Sequence, residues 1–167
     1  MKKANREKPS AAGAALKLLG RRDHSRQELL QKLVKRGYRE EEVLPVLTSL
    51  EEKGYLDDSR FALRWLEYFR ENKPMGRERL AAELARRGVE VGLARELVDR
   101  EYPRSEEASL LYQLALQLVR KNPQEDLKAA MARVGPALAR RGFGGEDIAA
   151  ALEKAVAEAK NRELPSD

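Results

Sequence analysis

An internal repeat constrains the fold of this chain more than any other feature of its sequence. A shift of 51 residues places Leu29, Leu33 and Gly37 on Leu80, Leu84 and Gly88. A further shift of 54 residues places Gly142 at the same position, after another apolar pattern of helical spacing. Repeats of a few tens of residues are typical of chains that stack small units, each of which packs mainly on its neighbours. The sequence therefore predicts a tandem array.

Each of the three glycines ends a helix of its unit. Apolar residues recur every three or four positions before the glycine, and two basic residues directly precede it. Glycine is the usual left-handed residue after a helix, where cations also favour the negative end of the helix dipole. A second helix follows each glycine, and one more precedes each pair, near residues 11–22, 59–71 and 106–120. We expect Asp58 or Ser59 to cap the second of these upstream helices and Ser105 to cap the third.

The predicted fold is all-α, with three tandem three-helix repeats that form an elongated, curved array. We predict a basic flexible arm over residues 1–10, repeats over 11–57, 58–103 and 104–160, and a flexible tail over 161–167. The third repeat diverges from the others. Its Gly135-Pro136 pair falls inside a helix, where proline removes a hydrogen bond, so a kink or a split is expected there.

The composition excludes several kinds of site. The chain has no cysteine and one histidine, His24, so neither a disulfide framework nor a thiolate or histidine zinc cluster can form. No segment approaches the roughly 20 apolar residues of a membrane span, and the basic start lacks a signal-type apolar core. We therefore expect a cytoplasmic protein. No activated nucleophile or acid–base pair emerges at fitting spacing, so the prediction is a protein without enzymatic activity or cofactor.

The net charge of +5 is concentrated near the N-terminus, where residues 1–26 hold eight Lys or Arg and two acids. Such an arm attracts phosphates without sequence specificity, although a solvated tail without any partner can have the same composition. The candidate nucleic-acid-attracting residues of this arm are Lys2, Lys3, Arg6 and Lys8.

The basic residues before the repeated glycines form a second candidate surface. They favour helix ends whatever their function, which is the simpler interpretation. Helical phase nevertheless predicts that Lys35, Arg86 and Arg140 point outward at a regular spacing. A row of this kind suits a partner that itself repeats, such as a nucleic acid or a protein filament. The candidate partner-binding residues are Lys35, Arg36, Arg79, Arg86, Arg87, Arg133, Arg140 and Arg141.

Two other patterns are better explained by structure than by nucleic-acid recognition. An aromatic stripe, Phe61, Trp65 and Tyr68 or Phe69, has the spacing of a helix core rather than of a base-stacking platform. The first repeat resembles a winged helix, but three glutamates, residues 40–42, begin its second helix. They would be repelled by DNA phosphates, which argues against sequence-specific readout.

Three strings of the sequence carry a family resemblance, two of which are the more specific. The first is Gly54-Tyr55-Leu56-Asp57-Asp58-x-x-Phe61-Ala62, and the second is Gly76-x-x-x-Leu80-x-x-Glu83-Leu84-x-x-x-Gly88. With the Arg22-x-x-Ser25-x-x-Glu28-Leu29 segment, they make the chain resemble the RecX family of bacterial recombination regulators. The resemblance covers most of the chain and is looser in the third repeat.

The resemblance implies a regulator of DNA recombination, DNA repair and the SOS response, and we expect it to be a monomer. Its implied partner is the RecA filament on single-stranded DNA, in whose groove it would lie, lowering RecA ATPase and strand exchange. Two alternatives remain open from the residues themselves. The basic residues also suit a sequence-nonspecific module for single- or double-stranded DNA, and the repeats suit a scaffold for another protein.

Overall fold

A computed structural model describes residues 9–161 of the chain, and within that range it contains nine α-helices and no strand. The helices are α1 Ala11–Leu19, α2 Arg26–Lys35, α3 Glu40–Glu52, α4 Asp58–Asn72, α5 Arg77–Arg86, α6 Val91–Glu101, α7 Arg104–Val119, α8 Leu127–Ala139 and α9 Gly145–Asn161. This confirms the predicted all-α repeat array. None of these helices is long and apolar enough to cross a membrane.

Each group of three helices has its own hydrophobic core. The first core is built on Leu29, Leu33 and Leu47, and the second on the equivalent Leu80, Leu84 and Val98. The third is built from α7, α8 and α9 around Leu138 and Leu152. Leu110 packs against both the second and the third core. The apolar pattern that repeats in the sequence therefore marks three separate cores.

The three repeated glycines adopt the predicted left-handed conformation, with φ of 82° at Gly37, 88° at Gly88 and 86° at Gly142. The backbone N–H of each glycine donates to a carbonyl in the last turn of the helix. The backbone N–H of the next residue donates to the carbonyl of the leucine five positions before it. These two bonds define the Schellman ending of a helix. The residues that follow the glycines, Tyr38, Val89 and Phe143, are all buried. We call each Gly and the two basic residues before it a corner.

The second corner packs against the first repeat. The Ser25 hydroxyl, at the N-cap of α2, donates to the Arg87 carbonyl at 2.6 Å. Beside it, the backbone N–H of Arg26 donates to the Asp58 carboxylate at 2.7 Å. The C-terminal end of α5 therefore meets the N-terminal end of α2.

The third corner packs against the second repeat in the same way. The backbone N–H of Gly76, at the N-cap of α5, donates to the Arg141 carbonyl at 2.8 Å. The N–H of Arg77 donates to the Glu107 carboxylate, also at 2.8 Å. Residues 76 and 77 are the repeat equivalents of 25 and 26, and 141 is the equivalent of 87. The same joint therefore occurs twice.

These joints pair groups that the helices themselves leave unsatisfied. The first N–H groups and the last carbonyls of an α-helix lack partners within it. At both joints, helix-end groups of one repeat find partners in the next, and the positive end of one dipole meets the negative end of another. Because α2 and α5 each have ten residues, successive corners lie about 15 Å apart along the array.

The structure corrects three details of the sequence-based prediction. The side chain that caps α4 belongs to Asp57, not to Asp58 or Ser59. Helix α7 starts at Arg104 behind Pro103, so Ser105 lies inside its first turn and does not cap it.

The predicted split at Gly135-Pro136 was wrong, because α8 runs through Pro136 without interruption. A preceding glycine has no Cβ to clash with the proline ring, which removes one reason for the chain to leave the helical conformation. The burial of Val134 and Leu138 on either side, in the third core, favours the helix.

Candidate partner-binding surface

Seven of the eight predicted partner-binding residues are exposed: Lys35, Arg36, Arg79, Arg86, Arg133, Arg140 and Arg141. The three that helical phase places outward, Lys35, Arg86 and Arg140, are among them. Arg36, Arg140 and Arg141 carry no salt bridge within residues 9–161, and neither does Lys35. The first and third corners therefore expose cations that no acid of the described chain neutralises.

Arg87 differs from the other corner residues because its guanidinium lies inside the second repeat. It stacks over Trp65, 4.1 Å from the ring centroid, and lies 4.8 Å from that of Phe69. It also forms a 2.6 Å salt bridge with Glu83, and its side chain is only 23% exposed. Cation–π contacts and a shielded ion pair hold it in place. Arg87 thus supports the core and the joint, and little of it is available to a partner.

The aromatic stripe is largely core, as predicted. Phe61 and Phe69 are buried, whereas Tyr68 is 41% exposed. Trp65 is half-buried and lines a groove of about 740 Å³ between the first two repeats, next to Arg86. An aromatic side chain therefore lies in the groove beside the candidate residue Arg86.

The other predicted residues have local partners. Arg86 pairs with Glu83 at 2.6 Å but stays 72% exposed. Burial opposes ionisation of Glu83, yet its hydrogen bonds with Arg87 and Arg86 outweigh this and lower its pKa. Arg79 donates to the Arg140 carbonyl across the second joint.

Arg133 is also tied locally, because it pairs with Glu125 at 2.8 Å and donates to the Leu118 carbonyl. The candidate arm residues Lys2, Lys3, Arg6 and Lys8 lie outside the described residues. Within that range, no group of three His, Asp or Glu side chains could hold a metal ion.

A charged network lies beside the first joint. Glu28 accepts hydrogen bonds from Arg22 and Lys32, the latter at 2.9 Å. Burial opposes its ionisation, but these bonds outweigh it and hold the pKa of Glu28 at about 2, below its ordinary 4.5. His24 is 3% exposed, and burial lowers its pKa. Because the Lys32 ammonium can only donate, His24 accepts through Nε2 at 2.9 Å and donates through Nδ1 to the Arg22 carbonyl.

The low pKa of Glu28 predicts a loss of stability in acid. The folded protein keeps this carboxylate ionised down to pH of about 2, whereas the unfolded chain takes up its proton near 4.5. The contribution is therefore present above pH 4.5 and is lost as the pH falls towards 2. We expect the free energy of unfolding, measured by urea titration, to fall less between pH 4.5 and pH 2 in Glu28→Gln than in the unaltered protein. Glu153→Gln, at an exposed site without a salt bridge among the described residues, should leave the slope unchanged, and equal slopes for both variants would contradict the assignment.

Ser25, Gly76 and Glu83 belong to the strings that carry the family resemblance, but the sequence did not predict their contacts with the corners. Ser25 and Gly76 occupy the same repeat position, which was visible as a 51-residue offset. Their different chemistry concealed that both form the joint, one through its side chain and the other through its backbone. Only the packed structure brings each of them to a corner of the next repeat.

Comparisons with known proteins agree with this architecture. Residues 11–50 match the family described as RecX, first three-helix domain, and residues 57–98 match RecX, second three-helix domain. The crystal structure of RecX from Lactobacillus salivarius superimposes with a TM-score of 0.78 at 17% identity, covering 87% of this chain and 94% of that one. At this identity the likeness supports the fold alone. A second crystal structure, of a regulatory protein RecX, gives a TM-score of 0.73 at 19% identity, with coverage of 86% and 70%.

Sequence relatives match over most of the chain. The regulatory protein RecX of Pelodictyon phaeoclathratiforme is 36% identical over 151 residues, which cover 89% of this chain and 90% of that protein. The regulatory protein RecX of Treponema pallidum is 35% identical over 130 residues, or 76% and 79% of the two chains. Both the sequence and the order of three-helix units are shared, and the chain therefore belongs to the RecX family.

Proposed function

We propose that this protein binds the RecA recombinase filament in its groove and inhibits its ATPase and strand-exchange activities during recombination and DNA repair. Membership of a family of regulatory proteins supports the proposal, and so does the family resemblance of the sequence itself. The protein acts by binding, without catalysis. It works in the cytoplasm, where the bacterial chromosome recombines, and takes part in the SOS response.

The observation that carries the proposal is the repetition of an exposed cation at the equivalent position of all three corners. Lys35, Arg86 and Arg140 stand at the same place in the three corners, and at both joints the same repeat position, Ser25 or Gly76, donates to a corner carbonyl. A filament also repeats one surface at a fixed spacing. Several weak contacts made at once by a linear array give useful affinity. We propose that the protein acts as a monomer and contacts the filament through each of its three repeats, residues 11–57, 58–103 and 104–160.

Charge reversal of two corner cations tests this function. We expect Arg86→Glu with Arg140→Glu to weaken inhibition of RecA by about tenfold, since two exposed ionic contacts of roughly 0.7 kcal/mol each become repulsive. The measurement is ATP hydrolysis by preformed RecA filaments on single-stranded DNA, titrated with the protein at several salt concentrations.

A matched double variant controls for net charge. Lys53→Glu with Lys160→Glu changes the charge equally at the ends of α3 and α9, at two residues that belong to no corner. It should inhibit like the unaltered protein, and circular dichroism should show both variants to be helical. Undiminished inhibition by the corner variant would dismiss the corner assignment. Failure of the unaltered protein to affect RecA would dismiss the function itself.

A further inference from the structure

A basic pocket opens on the first repeat, between the loop that follows α1 and the C-terminal half of α2. Its volume is about 490 Å³. Five cations and the histidine line it: Arg21, Arg22, His24, Lys32, Lys35 and Arg36. No acidic side chain lines this pocket.

The charge of this pocket is mostly uncompensated. Glu28 pairs with Arg22 and Lys32, but Arg21, Lys35 and Arg36 have no salt bridge among the described residues. Like charges three and four positions apart on one helix destabilise it. The dipoles of α1 and α2 each favour cations at their own C-terminal end, and packing brings these two ends together around one pocket. A bound anion would relieve the repulsion.

The second and third repeats lack this arrangement. The repeat equivalent of Lys32 is Glu83, which pairs with both Arg86 and Arg87 and so offsets part of the charge of that corner. In the third repeat the equivalent position holds Ala137. The convergence of cations is therefore specific to the first repeat within the described chain, and the repeat architecture alone does not explain it.

Pro9, the first residue that the structure describes, lies at the same end of the array as the pocket. Tyr38 follows Arg36 by two positions, and its hydroxyl donates a hydrogen bond to the carbonyl of Pro9 at 2.5 Å. The eight residues before Pro9 contain four cations and one acid. The composition of this part of the sequence, together with the charge of the pocket, suits a polyanion such as a nucleic-acid backbone better than an isolated carboxylate.

We propose that the pocket binds the phosphodiester backbone of a nucleic-acid strand, with Arg21 and Arg36 donating to phosphate oxygens. Guanidinium groups bind such oxygens in a bidentate manner. His24 lies beneath the cations and positions Lys32 by accepting from its ammonium group. The contact adds a nucleic-acid site to the filament contact of the proposed function, and it does not depend on that function because it needs no RecA.

Direct binding of DNA to the full chain tests the site. The probes are a fluorescent 20-nucleotide thymidylate strand, a duplex of the same length and polyglutamate, followed by fluorescence anisotropy from about 50 to 200 mM salt. We expect Arg21→Gln with Arg36→Gln to weaken strand binding about tenfold. Loss of two phosphate contacts should also reduce the logarithmic salt slope by about 1.4, at roughly 0.7 per contact. The control, Lys53→Gln with Lys160→Gln, should bind like the unaltered protein.

His24 provides a second readout, because it is the sole histidine of the sequence and gives one imidazole Hε1 signal in NMR. The signal should move when the strand binds and should stay in place for Arg21→Gln with Arg36→Gln. DNA binding that leaves this signal unmoved would assign the DNA to the N-terminal segment alone and overturn the pocket.

The remaining outcomes also decide the question. Equal binding of polyglutamate would replace nucleic acid by an acidic protein as the ligand, and absence of DNA binding would end the proposal. A preference between strand and duplex would identify the form of nucleic acid that supplies the phosphates. Because these binding experiments contain no RecA, a negative result leaves the ATPase test of the proposed function unaffected.

Discussion

Gly88→Ala is expected to destabilise the protein by about 2–4 kcal/mol. Gly88 has φ of 88°, where an L-residue loses roughly 1–2 kcal/mol. The added Cβ would also lie 2.6 Å from the Ser25 hydroxyl oxygen and 2.9 Å from the Gln27 Cβ. Both neighbours belong to the first repeat, so the variant strains the corner and opens the joint. Urea unfolding followed by circular dichroism measures the loss.

Gly54→Ala separates these two effects. Gly54 has φ of 70°, but no atom lies within 4 Å of a Cβ built there. This variant should therefore show only the conformational penalty of about 1–2 kcal/mol. If the two alanine variants unfold at the same urea concentration, the second corner does not press against the first repeat as described.

Phe69→Ala is expected to remove about 3–5 kcal/mol from the central repeat, the range found when a large buried aromatic is truncated. Phe69 is 1% exposed, and its ring centroid lies 5.6 Å from that of Trp65. Its loss leaves a cavity and removes one of the two rings beneath the Arg87 guanidinium. The midpoint of thermal unfolding should fall by about 10 °C. The fluorescence of Trp65, the sole tryptophan of the sequence, measures this transition.

Tyr68→Ala is the matched control on the same helix. Tyr68 is a neighbouring aromatic of similar size, but it is 41% exposed. Its removal should reduce the free energy of unfolding by about 1 kcal/mol or less. Comparable losses for the two variants would show that the inward face of α4 is assigned incorrectly.

The corners have two separate roles in this fold. Their backbone groups and glycines connect one repeat to the next, through Ser25 with Arg87 and Gly76 with Arg141. Their outer cations remain on the surface, where we propose contact with the filament. The helix ends must be satisfied for the array to fold, and the same geometry spaces the cations about 15 Å apart. Stability of the array and spacing of its surface thus have one structural cause.

Much of the architecture follows from the sequence itself. Apolar spacing identified the helices, and the glycine offsets of 51 and 54 residues identified the repeats. These features are local, since a helix places every third or fourth residue on one face and a left-handed helix ending favours glycine. The same helical periodicity predicted that Lys35, Arg86 and Arg140 are exposed. The family was recognisable from short strings within the first two repeats.

Other properties depended on contacts between residues far apart in the chain. Arg87 carries the same sequence pattern as Arg36 and Arg141, yet tertiary packing places it on Trp65. Whether Pro136 interrupts its helix was decided by burial on both sides of it, and local propensity gave the wrong answer. The sequence by itself determined which segments are helical and which faces are apolar, because both depend on near neighbours. The tertiary structure alone decided which cations remain free, because ion pairs and joints form only when separate helices meet.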